Sequence, residues 1–260
     1  MTQTDYAESR PTISEFGELS LAIACPMANE GQNSVLFVQQ VLAECYGFRE
    51  VRFFAVLDRA TTDDSLLLLR KYADKEPRLT VVWAPENRCA VDAYIRGYQE
   101  ALMCGAEWIL EIDAGFSHDP KNIRQFFSEM QKGYDCVFGS RFMPGGSIRN
   151  SSWKRYLVSR GGTFLTNLLL GTKLTDMTSG FELFSRAALE HVLRKGVHSR
   201  AHFFQTEIKT YCHDLKFAQV PIQYEAASPR MGTKALKDAF IHLRRLHKTK
   251  KAKQIQSIYF

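Results

Sequence analysis

Short apolar runs alternate with longer stretches of helical periodicity through most of this chain, and that alternation restricts its fold more than any other feature. Residues 19–25, 51–57, 79–83, 108–112 and 135–138 read as strands, mostly as continuous apolar runs, the pattern of strands covered by helices on both faces. Between them, Val35, Val38, Val41, Leu42 and Cys45 share one helical face. Ala90, Tyr94, Gly97, Tyr98 and Ala101 do the same further on. The expected fold is therefore α/β, with a mostly parallel central sheet flanked by helices. No internal repeat or low-complexity linker divides it. The organisation expected is a loose lead over 1–18, one domain over 19–240 and a basic tail over 241–260.

Composition narrows the class of partner. A chain of 260 residues, 45% hydrophobic, can bury a sizeable core without a metal or a disulfide to hold it. Its six cysteines are scattered with no C-x-x-C pair, which suits reduced core thiols in a cytosolic protein. No apolar run approaches the roughly 20 residues of a membrane helix. The first residues are polar and acidic, unlike a signal peptide. The net charge is +6, and Arg244, Arg245, Lys248, Lys250, Lys251 and Lys253 all follow the last acid, Asp238. The body before them is close to neutral, so nucleic acid is not expected as the main ligand. A basic end of this kind suits an anionic membrane surface or a membrane-protein partner, or is a solvated helix end with a frayed tail.

Ligands of open α/β sheets bind at the carboxyl ends of the strands. Those ends carry the chemistry here. The first runs into Pro26-Met27-Ala28-Asn29-Glu30, and the second into Asp58 and the loop to Ser65. After the fourth come Glu111-Ile112-Asp113-Ala114-Gly115 and then Phe116-Ser117-His118-Asp119-Pro120; after the fifth comes Gly139-Ser140-Arg141. No G-x-G-x-x-G follows the first strand and there is no Walker lysine, which argues against dinucleotide enzymes and P-loop NTPases. Glu30 and Asp58 are acceptors for nucleobase and ribose hydroxyls, or else Asn29 and Asp58 are helix caps. His118 either contacts a phosphate or caps the helix that follows. Residues 153–170 form a helix with an apolar face and several basic residues, either packed or lying on a membrane. Arg155 and Ser159, four apart on it, share a face on which one anion fits.

The ordered set of these motifs, with Ser159-Arg160-Gly161, Thr178-Ser179-Gly180-Phe181 and Val220-Pro221-Ile222, resembles family 2 glycosyltransferases. Within them it most resembles the dolichol-phosphate (polyprenyl-phosphate) mannose synthases, over about residues 20–235. The resemblance implies a GT-A fold and an inverting enzyme. It would move a hexose, mannose or glucose-like, from a nucleotide-diphosphate sugar to a polyprenyl phosphate at the cytoplasmic membrane face. It assigns donor binding to Pro26, Ala28, Glu30, Asp58 and Asp113, with Arg230 and Lys234 from a closing loop. Asp113 would hold a divalent cation, Mg²⁺ or Mn²⁺, and Arg141, Arg155 and Ser159 the acceptor phosphate. Gly115 stands where the family's Asp-x-Asp has its second aspartate, so the cation site is expected to be weakened. Two other readings go with the same fold. One is transfer to a glycan or protein hydroxyl, with Glu207 or a nearby acid as base; the other is non-catalytic binding of a sugar nucleotide.

Overall fold

Each apolar run becomes a strand within two residues of its expected bounds in the computed structural model, which describes residues 16–225 and 233–259. In chain order the first half is β1 (Ser20–Pro26), α1 (Gln32–Glu44), β2 (Glu50–Leu57), α2 (Ser65–Ala73), β3 (Leu79–Trp83), α3 (Ala90–Met103) and β4 (Trp108–Glu111). A 3₁₀ turn at Pro120–Asn122 leads into α4 (Ile123–Met130), β5 (Cys136–Ser140), β6 (Ser147–Arg149) and α5 (Trp153–Leu170). Then follow β7 (Glu182–Ser185), α6 (Arg186–Lys195), α7 (Phe203–Tyr211), β8 (Phe217–Pro221), β9 (Gln223–Glu225) and α8 (Thr233–Tyr259).

Seven strands form one sheet in the order β3-β2-β1-β4-β7-β5-β8, and β6 pairs with β9 beside it. All strands of the large sheet run parallel except β7, which is antiparallel to both neighbours. The carboxyl ends of β1, β2, β4 and β5 therefore meet at one edge, as the α/β reading requires. Alternate residues of each strand enter opposite cores. Ile23 and Cys25 face α1 and α4, whereas Ala22 and Ala24 face α3. Small residues there let α3 lie close: a Cβ on Gly97 would come 3.0 Å from Ala24 Cβ and 3.5 Å from Val56 Cγ2.

At the C-terminal end the helix differs from the expected tail. α8 runs unbroken through the 240/241 boundary, with Leu243 and Leu246 buried. Arg245 reaches Glu207 and Tyr211 on α7. His247 Nδ1 lies 3.0 Å from the Leu169 carbonyl, and Lys250 Nζ donates to the Leu170 carbonyl at 2.9 Å. A cation there meets the negative end of the α5 dipole and one of its unpaired carbonyls. The basic run thus divides: Arg245 and Lys250 turn inward, while Arg244, Lys248 and Lys251 stay exposed. Arg230 falls outside the described residues, as does the side chain of Lys234. All six cysteines are free.

Replacing Gly97 with leucine should force α3 away from β1 and β2 and lower stability by about 1–3 kcal/mol, measured as the urea midpoint at unchanged m-value.

Candidate active site

Two loops build one wall at the strand ends. Asn29, with φ of 59°, bridges them: its Oδ1 accepts from the Thr62 and Asp63 amides at 2.7 and 3.3 Å, and its Nδ2 donates to the Ala60 carbonyl at 2.8 Å. Ser65 Oγ accepts from the amides of Glu30 and Gly31 at 2.9 and 2.8 Å, and Asp63 Oδ2 also accepts from Gly31. The backbone after β1 is thereby immobilised, with Pro26 ending the strand and Ala28 half-buried beyond it. Asp58 Oδ1 accepts from the Ala60 amide at 2.8 Å, so one of its oxygens serves the local turn. Asn29 does not cap α1, whose N-cap is Gly31. Burial, and then the nearby Asp63, push the Glu30 carboxyl above its ordinary pKa.

Asp113 stands two residues beyond β4 with its side chain 30% exposed. Two tyrosines one turn apart on α3 separate it from Glu111: the Tyr94 hydroxyl donates to Asp113, and the Tyr98 hydroxyl to Glu111. Glu111 is fully buried and also accepts from Gln205, so it does not join Asp113 in the cleft. It faces Glu182 across the antiparallel β4–β7 pair, and Lys209 Nζ donates to Glu182 and to the Ser179 carbonyl. Burial pushes both glutamates up, Glu182 to about 7 against the pull of Lys209.

The loop after Asp113 turns through Gly115 and Phe116, both at positive φ. His118 is buried and does not cap a helix; Asp119 does so, accepting from the Lys121 amide at 3.0 Å. Desolvation takes His118 down to about 4 despite Asp113, so its ring is neutral at neutral pH. Its Nδ1 lies 3.7 Å from Asp113 Oδ2. The ring packs on Tyr224, with centroids 5.1 Å apart, and the two residues form an isolated β-bridge.

Tyr224 links this region to the arginines. The guanidinium carbons of Arg141 and Arg155 lie 5.3 and 5.8 Å from its ring centre, and Arg155 Nη2 donates to its hydroxyl at 3.2 Å. Arg141 is 7% exposed and grips Asp176 in a fork, Nε to Oδ2 at 2.7 Å and Nη2 to Oδ1 at 2.9 Å, with a further bond to Thr178. Burial alone would raise the Asp176 pKa, but Arg141 outweighs it and brings the carboxyl to about 2. Ser159 follows Arg155 by one turn of α5 and is half-exposed. The structure therefore brings Asp113, Arg141 and Arg155 to one edge of the sheet. Glu30 and Asp58 stand at the ends of the neighbouring strands.

Among the described residues, no three histidine, cysteine or carboxylate side chains converge to hold a metal. Glu207 is the anchor of α8 and not a base facing the cleft. It is fully buried and accepts from the amides of His198 and Ser199, from Tyr211 and from Arg245. Sequence reasoning missed Asp176 and Tyr224. Asp176 precedes the Thr178-Ser179-Gly180 motif by two residues, a usable signal; a lone tyrosine on a three-residue strand carries none.

Comparison with known proteins gives a consistent result. The model of the family described as Glycosyl transferase family 2 matches residues 23–193. The polyprenol monophosphomannose synthase of Mycolicibacterium smegmatis is 29% identical over 223 residues, 85% of this chain and 80% of that one. The undecaprenyl-phosphate mannosyltransferase of Micrococcus luteus is 26% identical, over 73% of this chain and 80% of its own length. Among solved structures, glucosyl-3-phosphoglycerate synthase from Mycobacterium tuberculosis, crystallised with Mn²⁺, UDP-glucose and phosphoglyceric acid, superposes with a TM-score of 0.63. That match has 15% identity and covers 90% of this chain and 82% of the other. At that identity the likeness concerns the fold, a GT-A sheet with helices on both faces.

Asp176→Asn should cost about 3–5 kcal/mol, because it leaves the Arg141 charge buried without its counter-ion. The folded carboxyl lies below its unfolded pKa, so its contribution is complete above about 4 and is lost as pH falls toward about 2. Urea unfolding of the two proteins from pH 6 downward should show curves that converge in acid.

Proposed function

The chain belongs to glycosyl transferase family 2, and we propose that it moves a hexose from a nucleotide-diphosphate sugar to a polyprenyl phosphate, with inversion at the sugar carbon. The observation that carries this reading is the junction at Tyr224. A carboxylate just beyond β4 lies beside the His118 ring, and two arginines, one just beyond β5 and one on α5, lie over the Tyr224 ring that packs on it. A donor diphosphate at the first and an acceptor phosphate at the second would put the reacting atoms between them. The two curated relatives, both named for mannosyl transfer to a polyprenyl carrier, support the acceptor class.

A phosphate acceptor suits the groups present. Its oxygen is already an anion, so attack on the anomeric carbon needs no strong base. The acid considered for that part, Glu207, is locked into the anchoring of α8. What remains is positioning and stabilisation of charge on the leaving diphosphate. Arg155 and Ser159 touch the acceptor phosphate; Arg141, neutralised by Asp176, shapes the loop after β5 and holds Tyr224 in place. Pro26, Ala28 and Asp58 line the nucleoside side. Asp113, partly exposed beside an unpartnered buried histidine nitrogen, fits a role as ligand to a divalent cation. Such an ion, when bound, neutralises charge gathering on the diphosphate.

The acceptor is a lipid, and no described helix is long and apolar enough to cross a membrane. Membrane contact falls to α5 and α8. Trp153, Leu157, Phe164 and Leu168 make an exposed apolar stripe on α5, and Leu236, Phe240 and Ile241 are exposed on α8, which packs against it. Arg244, Lys248 and Lys251 lie beside them, each worth about 1 kcal/mol at an anionic surface before screening. This surface docks on the cytoplasmic face of the membrane as an interfacial element.

Asp113→Ala should lower turnover by at least about an order of magnitude in a mass-detected transfer assay with a short polyprenyl phosphate and a donor panel. Arg155→Ala should impair transfer while leaving nucleotide affinity, measured by calorimetry, unchanged. Parallel loss of both would assign the arginine to the donor. Sedimentation with phosphatidylglycerol vesicles should show binding that weakens in about 0.5 M salt. Phe164→Glu/Leu168→Glu and Arg244→Glu/Lys248→Glu/Lys251→Glu should each reduce that binding, and equal binding by all three proteins would remove the membrane reading.

A further inference from the structure

The side chain missing at position 115 leaves a space that is not empty. A Cβ built on Gly115 would lie 2.6 Å from Glu30 Oε2, 2.9 Å from Oε1 and 3.0 Å from Cδ. The carboxylate of Glu30 thus occupies the place from which a residue-115 side chain would start. We infer that Glu30 is the second carboxylate of the cation site, holding with Asp113 the divalent ion on the donor diphosphate. The inference rests on the donor reading above and replaces the ribose or nucleobase role for this residue.

Three features support it. The Glu30 amide donates to Ser65, and its neighbours Asn29 and Gly31 are bonded to Thr62 and Asp63, so the side chain is carried by a well-tied loop. Its carboxylate accepts no hydrogen bond from the described residues, although it is half-buried. Such a group is normally paired, with a donor or with a cation. Beside Asp113, meanwhile, His118 is 1% exposed, and its Nδ1, at 3.7 Å from Asp113 Oδ2, has no hydrogen-bond partner. A buried nitrogen left open next to a carboxylate points to a group that the chain itself does not supply. Two carboxylates are enough, because magnesium-type sites commonly use one or two and take their other oxygens from phosphate and water.

The same geometry explains the glycine. With φ of 74°, position 115 disfavours any side chain, and an aspartate there would also meet the Glu30 carboxylate at contact distance. Restoring the second aspartate alone therefore adds strain and like-charge repulsion. Moving the carboxylate, by deleting it at 30 while adding it at 115, removes the clash.

Mn²⁺ binding reports on this without turnover. Free Mn²⁺ is titrated by electron paramagnetic resonance in the presence of GDP and, separately, UDP, and nucleotide affinity is measured in EDTA by calorimetry. Glu30→Gln, nearly isosteric, should weaken Mn²⁺ binding by about tenfold or more while leaving metal-free nucleotide affinity unchanged. Gly115→Asp should also weaken it, and Glu30→Gly/Gly115→Asp should recover most of the loss. Circular dichroism checks the fold of each variant; if those at 115 do not fold, Glu30→Gln decides alone. Unchanged Mn²⁺ affinity in Glu30→Gln overturns the inference, as does a parallel loss of metal-free nucleotide affinity, which would return Glu30 to the ribose. A parent protein that binds neither nucleotide in any condition overturns the donor reading, and this inference with it.

Discussion

Two carboxylates and one lysine buried at the centre of the sheet set the conditions for everything at its edge. Glu111 and Glu182 oppose each other across β4 and β7, and Lys209 from α7 closes on Glu182 with no exposed surface. Titratable groups removed from water cost free energy that their partners must offset. Here those partners come from different elements: Tyr98 from α3, Gln205 and Lys209 from α7, and the Ser179 carbonyl from the segment before β7. Loss of one member would leave another charged or polar group stranded. The layer therefore ties α3 and α7 to the sheet at β4 and β7. Asp113 is presented from this floor, two residues beyond Glu111.

The site above it is assembled from segments far apart in sequence. Tyr94 and Tyr98 on one face of α3 each take one of two carboxylates that stand two residues apart on β4 and its extension, which sorts a fully buried acid from a partly exposed one. On the other side, Asp176 draws Arg141 into the protein. The charge of Arg141 is thereby spent internally, whereas Arg155, one turn before Ser159 on α5, reaches the Tyr224 hydroxyl. Tyr224 and His118 lie between Asp113 and the two arginines, their rings packed together.

Much of this was legible in the residues. Five strands, the long helix over 153–170 and the chemically loaded strand ends follow from apolar periodicity, because a covered parallel sheet leaves a continuous apolar trace. The resemblance carried by the ordered motifs agrees with the family match, and Gly115 was legible as a departure from it. β7 was not legible, since four residues of mixed character following a turn do not declare a strand or its direction. Nor was the course of residues 241–259: a polar, basic sequence looks like a solvated end until Leu243 and Leu246 find α5 and α7.

The chain by itself determined the α/β class, the edge at which the chemically loaded strand ends gather and the kinds of groups placed there. Those depend on local periodicity and on the chemistry of residues at strand ends. Only the tertiary structure decided which charges remain available. Glu207 and Arg245 cancel one another inside, Arg141 is matched by Asp176, and Glu30 stands over a glycine from which it is separated by 84 residues of sequence. The physical reason is that an ionised side chain is defined by what surrounds it in space, and those surroundings are contributed by segments that no local pattern brings together.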